Sequence, residues 1–240
     1  MIIVVCGAPR SGTTLMKRII GRHADIEDPF ENENTFWSKY AGPAWYRWKY
    51  DTRMRPCAVK TQRSLDVLVD EQDFMRMMKQ FVADFYRYST QLHRDERWVE
   101  KCPENTFYAD FIRAVFPEAK FVHIYRNPWD VIRSSFRTKQ LYGFGVTKTS
   151  GIDRYWREVV SAGLRIPNSA QVCYEELVEK PNAVMKIVWD YLEVDHERIR
   201  TLGERVGFST ADQQVEVEIP PFELSPETVQ LAARLGYTQP

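Results

Sequence analysis

The sequence predicts an α/β fold of three layers, with a central parallel β-sheet flanked by helices. Three observations carry that expectation. An apolar run rich in β-branched residues, Ile2–Cys6, and a second buried run, Lys120–Tyr125, alternate with longer segments whose apolar positions recur at helical spacing. Apolar strands without alternation are buried on both faces, as in a parallel sheet between helices. Helix-starting signals follow the strands closely, so the chain reads as βαβ units. Finally, the polar residues of chemical interest come directly after strands: Arg10, Lys101, Arg126 and Tyr174. Ligands of open α/β sheets bind at those carboxyl ends. With 240 residues, one domain over 1–240 is expected.

Ile2–Cys6 reads as the first strand, and Gly7 to Gly12 as a tight polar turn. From Thr13 the residues Leu15, Met16, Ile19 and Ile20 share one helical face. Strand, glycine-bearing loop and helix together present backbone N–H groups and a helix N-terminus to an anion. Ala24–Ile26 is a short apolar step, and Asp28 to Trp37, with Pro29 and two Asn, reads as loop. An aromatic cluster follows (Phe36, Trp37, Tyr40, Trp45, Tyr46, Trp48, Tyr50), interleaved with Arg47, Lys49, Arg53 and Arg55. Two readings stay open there: a helix packed on the core, or an acceptor pocket where rings and Arg meet a ring-shaped or anionic ligand. Cys57–Lys60 reads as a short strand. Gln72–Leu92 reads as a long amphipathic helix, with Phe74, Met77, Met78, Phe81, Val82 and Phe85 assigned to the core.

Trp98–Glu100 is a further strand, and Asn105 is a candidate cap for a helix through Val115. After Lys120–Tyr125, Asn127 suits an N-cap and Pro128 the first helical position. Gln140–Ser150 reads as loop, Ile152–Leu164 as helix and Ala170–Tyr174 as strand. Helices are expected from Pro181 to Leu192, over Glu197–Val206, and from Ser225–Pro226 to Gly236. Val215–Ile219 alternates like an edge strand.

Lysine plus arginine and aspartate plus glutamate both number 33, so net charge favours neither nucleic acid nor membrane as partner. Any anion site must be local. No apolar run approaches the ~20 residues of a membrane helix, and the first strand carries no basic leader. Cys6, Cys57, Cys102 and Cys173 lack metal-ligand spacing and lie in or beside apolar runs. Buried free thiols in a reducing, cytoplasmic compartment fit that pattern. The four histidines are scattered, and His123, inside a strand, reads as a core residue.

Gly7 and Gly12 have P-loop spacing, but Thr13 stands where the nucleoside-triphosphatase loop has Lys, and the charge sits at Arg10. Pro9–Thr14, PRSGTT, resembles the 5′-phosphosulfate loop of sulfotransferases that use 3′-phosphoadenosine 5′-phosphosulfate (PAPS). Lys120–Ser135 resembles the 3′-phosphate segment of that family, where a strand-end Arg and a Ser eight residues later grip the phosphate; here they are Arg126 and Ser134. Trp98–Pro103 resembles the EK-S and K-T-P segments of the bacterial and Golgi-type branch. Tyr174–Leu177 is similar to a Y-E-x-L segment whose Tyr lies near the nucleotide, and Leu235–Tyr237 to the end of the bacterial branch.

The resemblance implies a P-loop-like fold, PAPS as donor with 3′-phosphoadenosine 5′-phosphate (PAP) as product, and no metal. It implies cofactor binding by Arg10, Ser11, Gly12, Thr13, Thr14, Arg126, Ser134 and Tyr174. It implies catalysis by Arg10, Lys101 and Glu33, the last matching the E-x-x-F-F spacing of the Golgi-type base. Phe36 and Trp37 are then expected to shield the Glu33 carboxylate from water. Glu31 and Lys60 are the alternatives to Glu33 and Lys101. The His of the steroid and phenol branch and the C-terminal R-K-G loop are both absent. Residues 38–56 match no family motif, so the acceptor, small molecule or glycan, stays open, as does the oligomeric state. The rival readings are a P-loop kinase or triphosphatase and a non-catalytic PAP-binding module.

Overall fold

The computed structural model of the protein describes residues 1–30, 33–53, 69–90, 97–138, 148–199 and 221–238. Among the described residues, five parallel strands form the sheet: β1 (Ile2–Cys6), β2 (Ile26–Glu27), β3 (Arg97–Lys101), β4 (Lys120–Tyr125) and β5 (Ser169–Cys173), in the order β2-β3-β1-β4-β5. β1 is central, with Val4 opposite Glu100 and Phe121, and Val5 opposite Lys101 and Val122. All five of its residues are buried.

Alternation along β1 sorts the two layers around the sheet. Ile3 and Val5 pack with Met16 and Ile20 of α1 (Thr13–Ile20) and with residues of the later helices Tyr174–Glu179 and Pro181–Leu192. Ile2, Val4 and Cys6 meet an aromatic layer instead. That layer comes from a π-helical turn (Trp37–Ala41), α2 (Gly42–Arg53), α3 (Glu71–Thr90) and α4 (Ala109–Val115). Trp45 stacks on Phe111 at 5.2 Å and Trp48 on Phe74 at 4.8 Å. Burying a side chain of this size contributes roughly 2–3 kcal/mol. Phe36, Trp37, Trp45 and Trp48 are thus core, whereas Tyr40 and Tyr46 of the same cluster are exposed.

Three helices start where proline signalled them: α5 (Pro128–Thr138), α8 (Pro181–Leu192) and α9 (Pro226–Arg234). The Asn127 side chain accepts the Trp129 N–H at 3.0 Å, a true N-cap bond. Between them lie α6 (Thr149–Leu164) and the short α7 (Tyr174–Glu179).

Several expectations need correction. The segment after β3 is not one helix capped by Asn105. A 3-10 helix over Pro103–Tyr108 precedes α4, because the Asn105 side chain is drawn into a buried network. In α3, Met77 and Phe81 are 57% and 50% exposed; Met78, Val82 and Tyr86 form the core stripe. One helical face is too narrow for all six apolar residues assigned to it. Residues 197–199 form a turn and a single bridge, Ile199 to His23, rather than a helix start. Cys57–Lys60, Val215–Ile219 and most of Gln140–Ser150 lie outside the described residues.

Candidate functional site

The loop after β1 folds as its glycines require. Gly7 (φ +145) leaves no room for a Cβ beside the Ile124 carbonyl, and Gly12 (φ +94) none beside the Tyr174 ring. Arg10 adopts φ +68, a left-handed conformation costing about 1 kcal/mol or more for a residue with a side chain. Gly12 caps α1 without any side-chain bond, and no acid occupies the first turn of that helix. The N-terminal dipole and amides of α1 are therefore left for an anion. Ser11 is fully buried, and its hydroxyl oxygen has no hydrogen-bond partner among the described residues. Thr13 is buried and Thr14 exposed.

The residues expected after β4 and β5 converge on this loop. The Arg10 Nε donates to Ser134 Oγ at 3.0 Å, joining the loop to α5. Arg126 donates through Nη1 to the Arg10 carbonyl at 3.2 Å, and its guanidinium lies 4.3 Å from the Tyr174 ring centre. The Arg126 Nε is buried with no partner among the described residues. Trp156 Nε1 donates to the Arg126 carbonyl at 3.0 Å and fixes that turn from α6. Glu175 holds it from the other side: its carboxylate accepts the Asn127 N–H at 3.0 Å and the Tyr237 hydroxyl at 2.8 Å. Burial pushes the Tyr237 phenol up, so it stays a donor.

On the other side of β1, Lys101 Nζ lies 2.5 Å from Glu33 Oε1, with the two side chains 9% and 38% exposed. Phe36 and Trp37 do not shield Glu33, because both rings turn into the aromatic core. The contact of Glu33 is a charge and not a ring. Glu31 and Lys60 lie outside the described residues.

Beneath this pair sits a network that sequence reasoning missed. Glu100, fully buried in β3, accepts from Tyr86 Oη at 2.5 Å, Asn34 Nδ2 at 2.8 Å and Asn105 Nδ2 at 3.1 Å. Burial raises its pKa to about 7, against the lowering effect of hydrogen bonds that include those from Tyr86 and Asn34, and of the Lys17 charge. Lys17, itself buried, pairs with Asp28 at 2.6 Å and donates to the Phe30 carbonyl. The available signal was Glu100 and Lys101 side by side in an apolar strand. Successive residues of a strand face opposite sides, so one of them had to enter a core.

His123 is a buried core histidine: Nδ1 lies 2.7 Å from Gln171 Oε1, and burial lowers its pKa to about 4. Cys6, Cys102 and Cys173 are free, and burial pushes the Cys6 thiol up to about 12. Among the described residues no group of three His, Cys, Asp or Glu is placed to hold a metal, and no helix is long and apolar enough to cross a membrane.

A parallel sheet whose first strand feeds a glycine-bearing loop, with two arginines gathered on it, defines an α/β protein whose polar residues collect at the strand ends. The chain belongs to the sulfotransferase family, whose description matches residues 3–198. Its fold is similar to the sulfotransferase domain of the curacin biosynthetic pathway (TM-score 0.62, 18% identity, covering 100% of this chain and 98% of that one). It is also similar to the sulfotransferase domain of the Synechococcus PCC 7002 olefin synthase (TM-score 0.61, 21% identity, 100% and 95% covered). Protein-tyrosine sulfotransferase A of Caenorhabditis elegans is 22% identical over 247 residues, 92% of this chain and 59% of that protein. The chain spans between 26% and 67% of the lengths of the curated relatives it matches.

Proposed function

We propose that the protein moves a sulfuryl group from PAPS to a hydroxyl- or amine-bearing acceptor. One observation supports this most: Arg10, Arg126 and Ser134 are tied together around a loop that buries two orphaned donors, Ser11 Oγ and Arg126 Nε. Buried polar groups without partners are rare, and these suit phosphate oxygens. In this reading Arg10, Ser11, Gly12, Thr13 and Thr14 hold the 5′-phosphate, Arg126 and Ser134 hold the 3′-phosphate, and Tyr174 stacks beside Arg126. When bound, PAPS supplies an activated sulfuryl group on a phosphate that leaves as part of PAP.

The chain's own residues do the rest. Lys101 engages Glu33 at Oε1, which leaves Oε2 to take the acceptor proton as a general base. As that carboxylate is neutralised, Lys101 is released to join Arg10 in stabilising negative charge at the reacting centre. The free Cys6, Cys102 and Cys173 support a reducing, cytoplasmic setting. Titration with PAP and with 5′-AMP tests the donor assignment. PAP should bind at least ~10-fold more tightly, since the 3′-phosphate adds charge-assisted bonds of ~1.5–3 kcal/mol each. Equal affinities would refute it. Transfer from radiolabelled PAPS to a panel holding a tyrosine-bearing peptide, p-nitrophenol and an oligosaccharide then tests the reaction.

A further inference from the structure

We infer that Glu100 is a positioning residue, acting through Asn34 to hold Glu33 against Lys101; its catalytic consequence rests on the sulfuryl-transfer reading. Asn34 is buried at 8% exposure, and both its side-chain amide and its backbone N–H are engaged. Its Nδ2 donates to Glu100 at 2.8 Å and to Tyr86 at 3.0 Å, and its Oδ1 accepts the Phe36 N–H at 3.0 Å. Its own N–H donates to the Lys101 carbonyl at 3.2 Å. Glu33 is the next residue along, and its side chain is 38% exposed.

Lys101 is buried, but the Glu33 carboxylate is open enough for solvent to weaken the pair, and a long side chain loses rotamer freedom in making it. Hydrogen bonds in a dry interior are stronger, because the low local dielectric strengthens them. The Lys101–Glu33 contact is therefore set from below. Glu100 gathers Asn34 from the loop, Tyr86 from α3 and Asn105 from the 3-10 helix, and β3 itself carries Lys101. Packing alone does not call for a carboxylate there, since an apolar residue would fill a strand position at lower desolvation cost.

The network allows a polarity swap. Asn34→Asp alone removes the amide N–H groups that Glu100 and Tyr86 receive and sets a second acid against Glu100, which should loosen the clamp. Adding Glu100→Gln should restore it. The new amide N–H groups then donate to the new carboxylate and to Tyr86 Oη, while the remaining amide oxygen still accepts from Asn105. Glu100→Gln alone can be accommodated if Asn105 turns its amide over, because its Oδ1 has no partner among the described residues.

Amide hydrogen exchange of the unliganded chain is read first. Asn34→Asp should speed exchange at positions 34 and 36 by ~10-fold or more, and the double variant should return it toward wild type. PAP affinity should stay within about threefold throughout. Turnover with labelled PAPS and the tyrosine-bearing peptide should fall by ~10²-fold in Asn34→Asp and recover in the double variant, with the donor KM little changed. Wild-type exchange in Asn34→Asp, wild-type turnover in it, or a double variant no better than the single one would each overturn the inference. If Asn34→Asp does not fold, Asn34→Ala should show the same faster exchange, and protection retained in it would be equally fatal. If the wild-type chain moves no sulfate to any acceptor, the sulfuryl-transfer reading fails while exchange still decides the clamp.

Discussion

Two buried groups give this protein opposing pH dependences that hide one another. Burial carries the His123 pKa from 6.5 down to about 4. As pH falls through that window the unfolded chain takes up a proton that the folded chain refuses, so stability is lost. Burial carries the Glu100 pKa from 4.5 up to about 7. Here the folded chain keeps a proton that the unfolded chain releases. The contribution of Glu100 is complete below 4.5 and is lost as pH rises to about 7. At about 1.4 kcal/mol per pH unit, each displacement corresponds to roughly 3 kcal/mol. Between pH 4.5 and 6.5 the two slopes have opposite sign and similar size. Glu100→Gln removes one of them. Its stability minus that of wild type should grow by roughly 3 kcal/mol as pH is raised from 4.5 to 7. Urea unfolding at half-unit pH intervals, with both proteins in the same buffers, measures that difference directly. All other titrations cancel in the subtraction. A difference that is flat with pH would show that Glu100 titrates alike in folded and unfolded chains, and would refute the account of the buried network.

Other outcomes follow from single contacts. Gly163→Ala would drive a Cβ into the His123 ring and should cost about 1–3 kcal/mol, read as a lowered thermal midpoint. Arg10→Ala should lower turnover by ~10²-fold or more, and wild-type rates would make the loop a structural turn only. Glu33→Gln should keep PAP binding and lose ~10²–10⁴ of the rate; an active variant would move the base elsewhere.

Much of the sheet was legible because it is written locally. Short buried runs made β1 and β4, and proline at the first helical position marked α5, α8 and α9. The turn after β1 was legible for the same reason, since its glycines and Arg10 lie within six consecutive positions. Harder to see was which aromatic residues face inward. Phe36, Trp37, Trp45 and Trp48 looked equally suited to a ligand, and only their stacking against α3 and α4 decides for the core. The Glu100 network was illegible because its donors lie 66, 14 and 5 positions away in sequence. No local pattern marks a carboxylate whose partners arrive from three segments. The same applies to Glu175, which receives Tyr237 from 62 positions downstream.

The sorting of layers around β1 also makes the protein its own optical probe. Of the seven tryptophans, Trp37, Trp45, Trp48 and Trp98 lie in the aromatic layer, Trp129 in α5 and Trp156 in α6 share a separate cluster, and Trp189 alone packs with Ile3 and Val5 on the opposite face of the sheet. Near-ultraviolet dichroism and intrinsic emission are therefore weighted toward the layer that holds Asn34 and Tyr86. Loosening beneath Glu33 would change those signals, whereas fraying of α8 would register through a single indole.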